Sequence, residues 1–176
     1  RARRTALRLP VAQGEPSGTA AVHLPGEPFR LLLIGESTVA GVGVTHFDQS
    51  LANCLAVALA ERLARPVRWR ACGENGITAS EAHQRLLPLA LAEPADLALL
   101  VFGVNDTTHL TPSKRWLQAL AAMADALGER GCRVAFSAVP PLQHFSALPW
   151  LLRQLMGWRA GLLDRELQSL AQRLGA

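Results

Sequence analysis

Leu97 to Phe102 is an unbroken apolar run of strand length, closed by Gly103-Val104-Asn105-Asp106. A strand with no polar face is at home only where helices cover it on both sides, as in the centre of a parallel sheet. A second such run, Arg30 to Ile34, is the first firm strand and leads into Gly35-Glu36-Ser37-Thr38. Helical spacing follows it. Leu51, Leu55, Leu59 and Leu63 mark one face of a helix that starts near Ser50 and that Pro66 ends.

The remaining elements repeat the alternation. Val67 to Cys72 places Val67, Trp69 and Ala71 on one side and Arg68 and Arg70 on the other, a pattern that suits an edge strand. Thr78 and Glu81 have capping-box spacing for a helix from about Ala79 to Leu91, bent or shortened by Pro88. After Leu97 to Phe102, Thr111 as N-cap and Pro112 at the first helical position start a helix with Trp116, Leu120, Met123 and Leu127 as its core face. Gly128 or Gly131 ends it. Arg133 to Val139 is the fourth strand, closed by Pro140-Pro141. A last helical stretch begins near Pro149, breaks at Gly157 and continues through Leu163, Leu167, Leu170 and Leu174 to Gly175.

Strand and helix alternating four times predicts right-handed crossovers and a three-layer α/β/α domain with a flavodoxin-like parallel sheet. The edge-like second strand and the buried third favour the strand order 2-1-3-4. Residues 1–28, rich in Pro, Gly and charge, form an irregular lead-in with a short extended piece around Ala20 to Leu24; residues 29–176 are the α/β domain. A chain of 176 residues suits one core, and 49% apolar with 18% charged residues describes a soluble domain, for which the cytoplasm is favoured and export or membrane anchoring is the alternative if the N-terminus is truncated. Apolar runs stop short of a membrane span. Membrane contact is expected only through an upstream anchor, whose cytoplasmic flank Arg1-Ala2-Arg3-Arg4 would fit. Cys54, Cys72 and Cys132 are isolated and odd in number, so buried thiols are expected rather than disulfides or a zinc site. The net charge is +4, but beyond Arg8 the basic residues are scattered and Tyr is absent, which argues against a nucleic-acid partner.

In the order 2-1-3-4, strands 2, 1 and 3 are neighbours, and ligands bind beyond their carboxyl ends. Those ends carry Ser37, the Gly73 to Gly76 turn and Asn105. A nucleophilic serine needs donors aimed at the oxyanion it creates, and backbone N–H groups or an Asn amide serve. The turn at Gly76 precedes a capped helix N-terminus with outward N–H groups. Singly, Asn75-Gly76 and Asn105-Asp106 are also ordinary turns; together at adjacent strand ends they converge on one site.

Gly35-Glu36-Ser37-Thr38, Asn75-Gly76 and Gly103-Val104-Asn105-Asp106 resemble, in order, three of the four signature blocks of the SGNH (GDSL-type) hydrolases. Glu36 stands where that family usually has Asp. The resemblance implies a serine esterase or acyl hydrolase that works through an acyl-serine intermediate on a small-molecule ester. It implies Ser37 as nucleophile, with the N–H groups of Ser37 and Gly76 and the Asn105 amide as oxyanion hole; Gly73 is the alternative donor. No metal and no cofactor are implied.

The fourth block, Asp-x-x-His after a fifth strand, is not found. Asp106 and His109 have that spacing but lie within the third block. The chain stops at Ala176, where the fifth strand is expected to begin, so it is expected to be C-terminally incomplete and feeble as an enzyme. His144 and His109, on loops after the fourth and third strands, are the candidate bases. The same reading leaves Arg133 to Val139 as an apolar edge that invites self-association. Two other functions compete: a non-catalytic acyl- or glycan-binding domain of the same fold, and a flavodoxin-like nucleotide binder. No Gly-rich phosphate loop supports the latter.

Overall fold

In the computed structural model, which describes residues 10–146 and 148–176, a five-stranded sheet has the order β1-β3-β2-β4-β5. The strands are β1 (Ser17–Ala20), β2 (Phe29–Gly35), β3 (Val67–Gly73), β4 (Leu97–Val101) and β5 (Arg133–Phe136). The helices are α1 (Leu51–Leu63), α2 (Ala79–Arg85), α3 (Leu87–Ala90), α4 (Val104–Thr108), α5 (Ser113–Gly128) and α6 (Trp150–Leu174). The basic opening, Arg1-Ala2-Arg3-Arg4, lies outside the described residues.

Strands β2 to β5 are parallel and, counted alone, keep the expected order 2-1-3-4. The edge differs. The lead-in supplies β1, which pairs antiparallel with β3 from Ser17–Arg70 to Ala20–Val67, so β3 is not an edge strand. A positive φ of 54° at Ala21 then turns the chain away, which places this strand earlier than the expected extended piece. The alternation in β3 reports unequal faces instead. Val67, Trp69 and Ala71 are buried with α1, whereas Arg70 donates to the carbonyls of Ala90 at 3.0 Å and Glu93 at 3.1 Å on the other side. Its antiparallel pairing with β1 suits such a solvent-reaching face.

Helix α1 lies on one face and α2, α3, α5 and α6 on the other, which makes the three layers. Of the expected leucine stripe of α1, Leu55 and Leu59 pack half-buried against the sheet layer, but its ends do not. Ala52, Ala56 and Ala60 are buried, while Leu51 and Leu63 are exposed. Trp69 and Phe47 already fill that layer, so small residues let the helix approach. The α5 face of Trp116, Leu120, Met123 and Leu127 is buried as expected, although Pro112 rather than Thr111 holds the cap position. The expected helix over Ala79 to Leu91 is divided at Leu86, ahead of Pro88. In β4, Ala98 and Leu100 are buried but Leu97, Leu99 and Val101 only half so, because α1 covers β1, β3 and β2. Cover on both faces is thus partial. Strand β5 stops at Phe136, short of Val139, and Cys54 is exposed rather than buried. Among the described residues, no helix is long and apolar enough to cross a membrane.

Helix α6 runs unbroken through Gly157. A glycine is required there by close approach rather than by a break. A Cβ would stand 2.8 Å from Gln143 Cβ and 2.9 Å from Gln143 N, in the 3-10 turn Leu142–His144. Gly157→Ala removes a helix penalty of about 1 kcal/mol but overpacks a fixed contact at about 1–3 kcal/mol. The expected outcome is net destabilisation in urea unfolding. A stabilised variant would show that the turn does not press on this helix.

Candidate active site

Three strands stop level. In the sheet register Gly35 pairs with Gly73 on one side and Val101 on the other. Two further bonds, Glu74 N–H to Gly35 O and Glu36 N–H to Val101 O, both at 3.2 Å, carry the ladder one residue further. The next residues of each strand are therefore neighbours: Ser37 after β2, Asn75-Gly76 after β3 and Gly103 to Asn105 after β4. Two glycines permit this closeness. A Cβ on Gly35 would lie 2.5 Å from Val101 O, and one on Gly73 would lie 2.3 Å from Ala40 N in the turn that follows Ser37. Gly73, the alternative donor, thus packs against the serine loop.

Glu36 ties the first block to the third. Its side chain is 4% exposed, with Oε1 accepting from Gly103 N–H at 2.7 Å and Oε2 from Asn105 N–H at 3.1 Å. Burial pushes its carboxyl up to about 7, against the pull of these N–H donors toward the ionised form. The sequence offered one signal for this role, an acid directly beside the serine at the end of a buried strand.

The Gly103 to Asp106 segment forms the start of α4 rather than a loop. Asn105 donates from Nδ2 to Ile77 O at 3.0 Å, which uses one of its two amide hydrogens and leaves the other. Asp106, fully buried, accepts from Ala79 N–H at 3.0 Å at the first turn of α2, and burial pushes its carboxyl up. The capping box of Thr78 and Glu81 closes the same helix end. The third block therefore grips the second from both residues.

Ser37 is half-buried and opens a single turn in which Val39 and Ala40 N–H donate to Glu36 O, each at 3.0 Å. Among the described residues the N–H groups of Ser37 and Gly76 bond to no backbone carbonyl. Gly76 has φ +85°, a conformation that favours glycine. Neither histidine hydrogen-bonds Ser37. His109 Nδ1 lies 2.7 Å from Asn105 O, and His144 is exposed in the 3-10 turn. An apolar hollow of about 560 Å³ lies beside the Gly73 to Asn75 turn, lined by Val11, Ala40, Phe47, Leu86 and Leu89 among others. Among the described residues, no three His, Cys, Asp or Glu side chains cluster as a metal site.

Known proteins share this arrangement of elements. Residues 33–176 match the profile of the GDSL-like Lipase/Acylhydrolase family. The GDSL-like esterase Rv1075c of Mycobacterium tuberculosis is 28% identical over 136 residues, which are 77% of this chain and 43% of that protein. The chain thus spans less than half the length of this curated relative. Among solved structures, AlinE4, an SGNH-hydrolase family esterase, superposes with a TM-score of 0.69 at 21% identity over 86% of this chain and 75% of its own. TesA superposes with a TM-score of 0.66 at 23% identity, covering 84% and 75%. A member of the lipolytic protein G-D-S-L family from Veillonella parvula gives 0.62 at 15% identity, covering 82% and 73%. At these identities the solved structures show the fold.

The Glu36 environment has a measurable consequence. The native state keeps this proton up to about pH 7, whereas a carboxyl at its ordinary value of 4.5 has released it. The native state then binds more protons, so this group's contribution to stability falls as pH rises between those values. Asp106 adds the same sign. Glu36→Gln is expected to be less stable at every pH, because one N–H donor loses its acceptor, but to show a flatter pH dependence. Urea midpoints at about pH 5 and about pH 8 measure this. An unchanged pH dependence would mean that Glu36 is ionised throughout.

Proposed function

The chain belongs to the GDSL-like lipase/acylhydrolase family, and from that premise we propose that Ser37 attacks an ester carbonyl to form an acyl-serine intermediate. One observation supports this above others: the unbonded N–H groups of Ser37 and Gly76 and the spare amide hydrogen of Asn105 belong to strand ends held level by the sheet register. Donors fixed in place before reaction stabilise the tetrahedral oxyanion without reorganisation. The leaving group departs as the alcohol, taking up the proton that Ser37 gives up as the acyl-serine forms; water then adds to the acyl-serine, and the acid leaves as a proton returns to Ser37. The apolar hollow beside Asn75 suits the acyl chain.

A second reading, a non-catalytic acyl- or glycan-binding domain, has one observation in its favour: no histidine engages Ser37. A fluorophosphonate probe separates the two, since it bonds only to an activated serine. Labelling at Ser37, abolished in a folded Ser37→Ala variant together with turnover of p-nitrophenyl acetate, is the expected result. Turnover retained in Ser37→Ala would remove this residue from the mechanism.

Asn105→Ala is expected to lower kcat by roughly 10²–10³-fold, the usual effect of one oxyanion donor. KM should move little, because the bond strengthens only as charge develops on the oxygen. An unchanged kcat would leave Asn105 as no more than the clamp on Ile77.

A further inference from the structure

Helix α6 outreaches the sheet. Its Asp164 accepts from Val139 N–H at 2.9 Å, already past the end of β5 at Phe136. The helix between Trp150 and Asp164, about 20 Å of axis, therefore stands beyond the strand ends, at the end of the sheet that carries Ser37. Its inner side packs there. Met156, Ala160 and Leu163 join the core, Gly157 meets Gln143, and Arg159 Nη2 donates to Thr111 O. The outer side holds Trp150 at 66% exposed, Leu151 at 73%, Leu155 at 54% and Trp158 at 65%, with Phe145 exposed in the preceding turn. Large apolar side chains on a solvent face mark a contact surface.

Charge says what that surface contacts. From Gly131 to Leu163 the chain has no acidic residue, and the projecting half of α6 carries the half-buried Arg153 and Arg159. From Thr107 to Ala124 it has none either, and there Lys114 and Arg115 sit; the Arg159–Thr111 bond joins this stretch to the helix. A second copy would bring two positive faces together. An anionic surface with an apolar interior complements both features: exposed Trp and Leu on α6 suit the interior, and the exposed Lys114 and Arg115 beside it suit the headgroups. We propose that the projecting half of α6 docks this protein on anionic lipid bilayers, its axis in the interface and the Ser37 end of the sheet toward the lipid. This goes beyond the esterase reading and does not rest on it.

The test is co-sedimentation of the chain with phosphatidylglycerol/phosphatidylcholine vesicles and with phosphatidylcholine alone, alongside tryptophan emission. Trp69 and Trp116 are buried, so a blue shift reports Trp150 and Trp158. The expected result is binding to the anionic vesicles that weakens with salt, with a blue shift. Trp150→Ala/Trp158→Ala and Leu151→Gln/Leu155→Gln should each bind at least about tenfold more weakly, with near-ultraviolet dichroism of the buried indoles retained. Ser37→Ala should bind like the native chain, which keeps this test independent of catalysis. Absent vesicle binding, equal binding by the variants, equal binding to phosphatidylcholine alone, or lipid-free self-association that buries Trp150 and Trp158 would each overturn the proposal.

Discussion

A buried carboxylate holds the reactive end of this sheet together. Glu36 is carried out of the core by β2 and accepts the N–H groups of Gly103 and Asn105 from the far side of β4. Besides those bonds, Glu36 N–H to Val101 O and the contacts of α4 with α6 and with the start of α2 set the angle at which α4 leaves the sheet. With them the orientation of α4 is fixed, and Asn105 and Asp106 point back to Ile77 O and Ala79 N–H. The order of dependence runs from Glu36 to α4 to α2. Two opposing magnitudes meet at Glu36. Burying an ionised carboxyl is costly, while each hydrogen bond to a charged acceptor returns about 1.5–3 kcal/mol. Burial outweighs the donors here, so the carboxyl is pushed up to about 7 from its ordinary 4.5.

The parts of the fold written in local sequence were legible without coordinates. The apolar run in β4, the capping box of Thr78 and Glu81, and the Trp116 to Leu127 stripe each depend on neighbours in the chain. What escaped depends on volume or on distant partners. Leucines at every fourth place in α1 look like a core face, yet the adjacent alanines face the sheet because Trp69 occupies the space a leucine would need. Gly157 looks like a helix break until Gln143 is seen against it. Strand β1 is invisible as a pattern, since four residues of a Pro- and Gly-rich lead-in become a strand only when β3 offers its edge. Glu36 was visible as a letter, but its role was not, because the N–H groups it accepts lie 67 and 69 residues away.

The candidate site was legible for a related reason. Its blocks fall at strand ends, and strand ends in a parallel sheet are brought level by register, which the strand order implies. Glycine at Gly35 and Gly73 then has a steric meaning that sequence alone does not disclose: a β-carbon at either would strike backbone atoms of the neighbouring element. The strand ends supply position, and the glycines supply the close approach of neighbouring elements that the register alone does not. The geometry also limits what can vary. The lining of the apolar hollow joins the Gly73 to Asn75 turn to Val11, Phe47 and Leu89, which lie outside the strand-end blocks, so substitutions at those three can reshape it with the least disturbance of the turn.

Catalysis by a serine has two separable requirements, and the structure treats them differently. Stabilising the oxyanion needs donors that are rigid before the reaction begins, and a sheet register with buried acids behind it provides rigidity at no further cost at the moment of reaction. Accepting the serine's proton needs a group that changes charge twice per turnover, and so one oriented by its own partners rather than locked into the sheet. His109 does not fit that role as it stands. Its Nδ1 meets Asn105 O at the C-terminal end of α4, and its ring borders a separate hollow lined by Thr78, Glu81, Gln84 and Arg115. Its contacts serve the clamp between α4 and α2. His144 rides the 3-10 turn that packs on Gly157, a turn placed by α6 rather than by a strand end. The proton acceptor is therefore not a property of the three strand ends. On the esterase proposal it would come from a loop that approaches Ser37 from the solvent side, which would separate the chemistry of the nucleophile from the architecture that stabilises its product.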